Sequence, residues 1–214
     1  LECARGGILK SGLAFQNCDV SIVTNISADH IGLGGIDSME QMAKVKAVVP
    51  ETTFKHGYAI LNAEDDLVYA MRDGLSCNIA LFSMDENNPR IISHCKDGGY
   101  AAVFENGYIT IMKGTWKIRV IKVIDVPVTY GGKAVHNIRN CLPAVLSTYF
   151  WRNIEIEDIR LALQTFIPSS TQTPGRLNLF QFKHFQFLVD FAHNPAGLEL
   201  LCDFVSKLDG EPKV

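Results

Sequence analysis

The sequence predicts an α/β fold, and three observations predict it. Short apolar, β-branched runs end abruptly in acidic and amide residues; helical patterns follow those ends; and in mid-chain the rhythm changes to hairpin-spaced runs. Repetition of strand, polar loop and helix is the pattern of a layered fold in which helices cover a mostly parallel sheet. The change in mid-chain adds a small antiparallel meander.

Residues 18–26, Cys-Asp-Val-Ser-Ile-Val-Thr-Asn-Ile, suit a strand buried on both faces. The run gives way to Ser27, Ala28, Asp29 and His30, then to Gly32-Leu33-Gly34-Gly35. Asp37, with Glu40 three residues on, offers a capping-box start for a helix that runs towards Pro50. Residues 58–61 repeat the strand theme and discharge into Asn62-Ala63-Glu64-Asp65-Asp66, where Asp65 or Asp66 is placed to cap the next helix. The runs 100–104, 108–112 and 117–124 are separated by Glu105-Asn106-Gly107 and Lys113-Gly114. Asn-Gly between such runs is a strong hairpin signal. Helical patterns return over about 140–151 and 155–166, with Pro143 in a first turn, where its missing N–H does no harm. Residues 168–175 are a run of turn formers and read as a linker, with a domain boundary there or shortly after. A new apolar strand, 185–191, ends in Ala192-His193-Asn194-Pro195 and leads into an amphipathic helix over 197–208.

Composition narrows the function classes. With 214 residues, 47% of them hydrophobic and 20% charged, the chain can bury a substantial core and is too apolar for disorder. A formal charge of −3 lacks the positive surplus that phosphate-backbone binding draws on, so no nucleic-acid partner is expected. No apolar run approaches the roughly 20 residues needed to cross a bilayer, and the first residues lack the pattern of a signal peptide. No membrane association and a cytoplasmic location are the expectation. The chain opens on Leu1 rather than Met and stops at Val214 where an apolar segment could be starting, which reads as a piece of a longer protein. Six scattered cysteines form no C-x-x-C pair and are expected to be reduced and mostly buried.

Standard phosphate loops are absent. Gly131-Gly132-Lys133-Ala134 has the tail of one, but Pro127 occupies the first glycine position and Ala134 replaces the hydroxyl that would hold Mg²⁺. What remains is a set of polar residues at strand ends: Glu2, Thr24, Asn25, Asp29, His30, Asn62, Asp65 and Asp190. Ligands of α/β sheets bind beyond the carboxyl ends of the strands. A carboxylate meeting an imidazole there can hold a divalent cation, with Glu supplying the hard oxygen Mg²⁺ prefers; acidic residues in such places also serve as helix caps. Lys46 is distinctive. At about 100° of rotation per residue it falls in the middle of the apolar stripe of its helix, between Met42 and Ala43, with Val49 nearby. Either its stem covers core surface while the ammonium reaches out, or a partly buried amine of lowered pKa is available for chemistry or modification.

Taken in order, several blocks resemble those of the Mur ligase family. They are Glu2-Cys3-Ala4-Arg5-Gly6-Gly7-Ile8-Leu9, Thr24-Asn25-Ile26-Ser27-Ala28-Asp29-His30-Ile31-Gly32, Lys46, Asn62-Ala63-Glu64-Asp65, His136-Asn137-Ile138-Arg139-Asn140, Pro174-Gly175-Arg176 and Asp190-Phe191-Ala192-His193-Asn194-Pro195. The resemblance spans nearly the whole chain, and ordered blocks are more specific than any one alone. It implies a partial Mur-ligase-like central, ATP-binding domain over 1–174 and the start of a Rossmann-like C-terminal domain over 175–214.

The resemblance further implies an ATP-dependent amide ligase: ATP phosphorylates a carboxylate, and an amine attacks the acyl phosphate. The A-R-G-G-I-L and D-H-I-G-L-G-G variants are similar to family members that join L-arginine to aspartate β-carboxyls of a poly-aspartate chain. The alternatives are a ligase of a peptidoglycan precursor or folate, or a catalytically silent nucleotide-binding or assembly module. Such chemistry crowds negative charges together, so cations must hold them at reacting distance. By resemblance, Glu2 and His30 are Mg²⁺ ligands, and Lys46, which acts with His30 in catalysis, matches the lysine that the family carbamylates to help hold a second metal. Asn137 matches a residue near adenine, Arg176 one on an ATP phosphate, Asp190 one on the ribose hydroxyls, and His193 one near the phosphates. A homo-oligomer is expected of the full-length protein. The family's G-K-T loop is expected upstream of Glu2, so this segment alone is expected neither to bind ATP tightly nor to turn over. Glu64 stands where Asp is common, and Pro143 where Ala is common.

Overall fold

A computed structural model describes residues 1–28, 31–32 and 34–210. Its centre is one six-stranded sheet in sequence order, β1 (Cys18–Val23), β2 (Thr53–Asn62), β3 (Asn78–Ser83), β4 (Tyr100–Glu105), β5 (Tyr108–Lys113) and β6 (Trp116–Lys122). β1 to β4 pair parallel and β4 to β6 antiparallel. The meander is therefore a continuation of the main sheet through β4. Asn106 and Gly107 both take positive φ, 49° and 83°, as a two-residue hairpin turn requires.

Successive residues of a strand face opposite sides, and the two cores divide accordingly. Ile60, Phe82 and Ile111 lie under Leu142 and Leu146 of α5 (Val135–Tyr149) and Ile159 of α6 (Ile156–Thr165). Leu61, Leu81 and Val103 lie under Met42 of α2 (Met39–Glu51), Val68 of α3 (Asp66–Ala70) and Ile91 of α4 (Pro89–Lys96). A short α1 (Arg5–Ser11) precedes β1. Apolar runs whose two faces are both covered are what the sequence predicts for a parallel sheet.

Three local expectations shift. Ser38 rather than Asp37 caps α2: its backbone is extended (φ −145°), and its Oγ accepts from Gln41 N at 3.2 Å. α5 starts at Val135, so Pro143 sits inside the helix and not in its first turn. Burial of Ile138, Leu142, Val145 and Leu146 fixes the helix there, and that packing outweighs the ~3 kcal/mol an interior proline costs. Only Cys95 and Cys141 are buried, while Cys3, Cys18 and Cys77 are half-buried and Cys202 is exposed; all six are free.

Residues 168–175 carry no helix or strand. Beyond them, β7 (Asn178–Gln181) and β8 (Gln186–Val189) form an antiparallel hairpin that leads into α7 (Pro195–Ser206). This unit seats on the residues before α5. Ala134, Leu177 and Phe204 are buried together, the Tyr130 and Phe204 rings meet edge-on at 5.2 Å, and Tyr130 Oη donates to the Leu177 carbonyl.

Candidate functional site

Parallel pairing brings the carboxyl termini of β1, β2 and β3 to the same end of the sheet, and side chains lock them together. Asn62 Nδ2 donates to the Thr24 carbonyl at 2.8 Å, and Glu64 N donates to Asn62 Oδ1 at 2.9 Å. Asp65 caps α3 through Leu67 N and Val68 N, both at 3.0 Å, and its other oxygen accepts from Ile26 N at 2.7 Å. Asn62 and Asp65 thus shape the backbone that follows β1.

That backbone, with the whole of the edge strand β1, walls a cleft of about 900 Å³ whose lining includes Glu2, Thr24, Asn25, Ser27, Lys46 and Trp151. Lys46 is half-buried beside Met42 and Val49, as its place in the apolar stripe predicts, and its Nζ donates to the Asn25 carbonyl at 2.9 Å. Glu2 and Lys46, 44 positions apart in sequence, therefore open into the same space. Asp29 and His30 lie outside the described residues. Among the described residues no group of three or more His, Cys, Asp and Glu converges as a metal site. Glu2 supplies a hard carboxylate suited to Mg²⁺. The Lys46 amine is a donor as it stands and becomes an anionic oxygen ligand only if it is carbamylated.

A second, apolar hollow of about 350 Å³ lies between α5 and α6, with Asn137, Asn140, Cys141, Val145, Leu163 and Phe166 in its wall. Apolar walls with a few amides are the composition of a small-molecule site. Asn137 Nδ2 donates to the Val128 carbonyl at 2.8 Å, which ties the start of α5 to the preceding turn. Burial pushes the Cys141 thiol up to about 11, so it is an inert, neutral wall.

Three of the sequence-predicted residues gather at the end of β8. Asp190 accepts from Leu177 N and Ala192 N, each at 2.8 Å, so it does hold its own turn. The exposed Arg176 guanidinium lies 5.4 Å over the Phe191 ring, and His193 Nδ1 lies 3.0 Å from the Phe191 carbonyl oxygen. This cluster faces α5 at His136. Burial pushes the imidazole pKa down there, the carboxylates of Asp190 and Asp203 oppose that shift, and Arg139 adds to it. Sequence reasoning missed His136 and Arg139 as site neighbours, although both lie in a block it singled out. Their partners come from elements 50 or more positions away, which spacing does not reveal.

Comparison with known proteins gives the family and the fold. Residues 1–148 match the Mur ligase middle domain. The chain is 50% identical over 211 residues to the cyanophycin synthetase of Geminocystis herdmanii and 49% identical over 211 residues to that of Synechocystis sp., covering 99% of this chain in each case. It spans about a quarter (24%) of the length of these curated relatives. A UDP-N-acetylmuramate–L-alanine ligase of Acetivibrio thermocellus is 25% identical over 189 residues, 84% of this chain and 35% of that protein. Among solved structures, MurF from Acinetobacter baumannii superposes with a TM-score of 0.62 at 20% identity, over 90% of this chain and 38% of that one. A murein peptide ligase from Psychrobacter arcticus gives 0.53 at 15% identity, over 89% and 35%. These structural likenesses concern the fold: a mostly parallel sheet between helix layers, extended by an antiparallel pair. With the middle-domain pattern matching well over half of its residues, the chain belongs to the Mur ligase family.

Proposed function

We propose that this chain is part of a cyanophycin synthetase, an ATP-dependent ligase joining L-arginine to the aspartate β-carboxyls of a poly-aspartate backbone through an acyl phosphate. The observation that carries this reading is near-50% identity across 99% of the chain to cyanophycin synthetases of several organisms, against 25% to a peptidoglycan-precursor ligase. That contrast favours the poly-aspartate substrate over the peptidoglycan one.

In this reading the cleft holds the reacting groups. Glu2, with His30, binds Mg²⁺, and Lys46 joins them once carbamylated; its position at the cleft wall supports this assignment. Mg²⁺ neutralises the crowded phosphate and carboxylate oxygens when bound. Asn137, in the wall of the apolar hollow, is assigned to the adenine; apolar walls with a few amides suit a flat base. Asp190 takes the ribose hydroxyls, Arg176 a phosphate, and His193 lies near the phosphates. The side-chain chemistry suits each role: a carboxylate accepts from hydroxyls, and an exposed guanidinium pairs with phosphate oxygens. The full-length protein works as a homo-oligomer in the cytoplasm.

The test is calorimetric titration of the full-length protein with ATP, followed by phosphate release with poly-aspartate chains and L-arginine. Binding with arginine-dependent release is expected. Absence of nucleotide binding refutes the ligase reading, whereas binding without release makes this a silent nucleotide-binding or assembly module. Electron density extending beyond the Lys46 amine tests the carbamate directly.

A further inference from the structure

A continuous polar chain crosses the strand ends and leaves the sheet. It starts at the Thr24 carbonyl in the cleft wall, passes through Asn62 to Glu64 N, and reaches the Glu64 carboxylate at the end of β2. There Ser83 Oγ donates to Glu64 Oε1 at 2.9 Å, and Met84 N donates to the same oxygen, joining the end of β3. The other oxygen, Oε2, lies 3.6 Å from Arg139 Nη2 on α5. Among the described residues, Arg139 Nε is buried and has no hydrogen-bond partner, so Glu64 is the one anion that holds this guanidinium. Two residues earlier on the same helix stands Asn137 at the mouth of the apolar hollow.

The geometry therefore links two sites that ordinary packing keeps apart. α5 packs on the sheet through close-packed aliphatic side chains, and the Glu64–Arg139 ion pair, at 3.6 Å and partly exposed on both sides, adds an oriented charge contact near the start of that helix. We infer that Glu64 and Arg139 are positioning residues: their pair registers the start of α5, and with it Asn137, against the ends of β1 to β3. A ligand spanning the cleft and the hollow then meets both halves of its site at a fixed separation. The inference rests on the reading above that ATP is that ligand. Neither residue is placed in contact with substrate, and neither is needed for the chemical step.

The experiment compares Arg139→Ala, Arg139→Lys, Glu64→Gln and the Glu64→Gln/Arg139→Ala double variant in the full-length protein. For Arg139→Ala, the KM for ATP and the dissociation constant of a non-hydrolysable analogue are expected to rise about two- to fivefold, the scale of a partly exposed ion pair. The kcat at saturating ATP should stay within about twofold, because the loss is one of uniform binding. Lys should recover most of the affinity, and the double variant should be no worse than the weaker single one, as coupled neighbours require. An unchanged KM in Arg139→Ala, or additive effects, would overturn the pair. A ligand-free readout separates this from the function itself: Asn137 N and Ile138 N both donate to the Ala134 carbonyl, at 3.0 and 3.2 Å. Their hydrogen exchange should accelerate in Arg139→Ala and Glu64→Gln while that of Leu81, in β3, does not. If the wild type binds no nucleotide, the ATP reading fails and exchange alone decides; unaltered exchange then refutes positioning.

Discussion

Lys46 Nζ donates to the Asn25 carbonyl at 2.9 Å, so the amine on α2 is held at the end of β1 inside the cleft that Glu2 also lines. An amine with only a packing role can be replaced by another long cation. One that must react cannot, because a guanidinium stays protonated and forms no carbamate. In the full-length protein Lys46→Arg should therefore lose ligation by about 100-fold or more, the scale of a lost charge-stabilising group. Stability should change by less than about 1 kcal/mol, as for a half-exposed site. Phosphate-release assays with a urea melt check both; full activity in Lys46→Arg returns the residue to a core-covering role.

Gly99 faces His94 so closely that a Cβ there would lie 2.2 Å from the ring Nε2 and 2.3 Å from Cε1. Gly99→Ala should lower stability by about 1–3 kcal/mol, the usual penalty of overpacking. Adding His94→Ala should restore part of it, and denaturant midpoints of the three variants decide this. Burial also pushes the His94 pKa below its ordinary 6.5. Its folded form resists protonation, so this contribution is intact above about pH 6.5 and is lost as pH falls below it. His94→Ala should flatten that part of the stability profile.

Glu105 is buried in the antiparallel part of the sheet, where Lys117 Nζ donates to it at 2.6 Å and Thr110 Oγ1 at 3.1 Å. Lys117 pulls the Glu105 pKa below its ordinary 4.5, against the opposing effect of burial. A depressed folded-state value means stability that is present above about pH 4.5 and lost as pH falls through the folded pKa. Glu105→Gln should be less stable than the wild type by about 1–3 kcal/mol at pH 7. The gap should narrow below pH 4, and urea unfolding at both pH values measures it; a gap independent of pH would refute the ionic role.

Phe204 is fully buried between Tyr130 and Leu177 and is the main apolar anchor of α7. Phe204→Ala should cost about 3–5 kcal/mol locally. Because that cluster is separate from the two cores of the sheet, the loss should appear as faster proteolysis beyond residue 177 with the sheet amides still protected. Simultaneous loss of protection in β2 and β3 would show that the two parts unfold as one.

Much of this architecture was legible. β-branched runs ending in polar residues locate β1 and β2, Asn106-Gly107 locates the hairpin, and of the two expected caps, Asp65 or Asp66, the structure uses Asp65. The apolar stripe also puts Lys46 among apolar neighbours, and it is half-buried beside Met42 and Val49. The misses have a common cause. Pro143 argued for a helix start only while its neighbours were weighed locally; Ile138, Leu142 and Leu146, buried against the sheet, carried the helix through it. Ser38 displaced Asp37 as a cap because its backbone geometry, invisible in sequence, suited the position.

By itself the sequence determined the α/β class, the family and the places of β1, β2, the meander and the helices that carry a clear period, while α1, β3, α4 and β7 were not legible in it; periodicity, turn chemistry and ordered motif blocks are properties of neighbouring residues. Only the tertiary structure decided that the meander extends the main sheet, that Glu2 shares a cleft with Lys46, and that Arg139 pairs with Glu64. Those relations join residues far apart in the chain, and they arise from parallel strand pairing and helix docking, which depend on the burial of whole faces and leave no local signature.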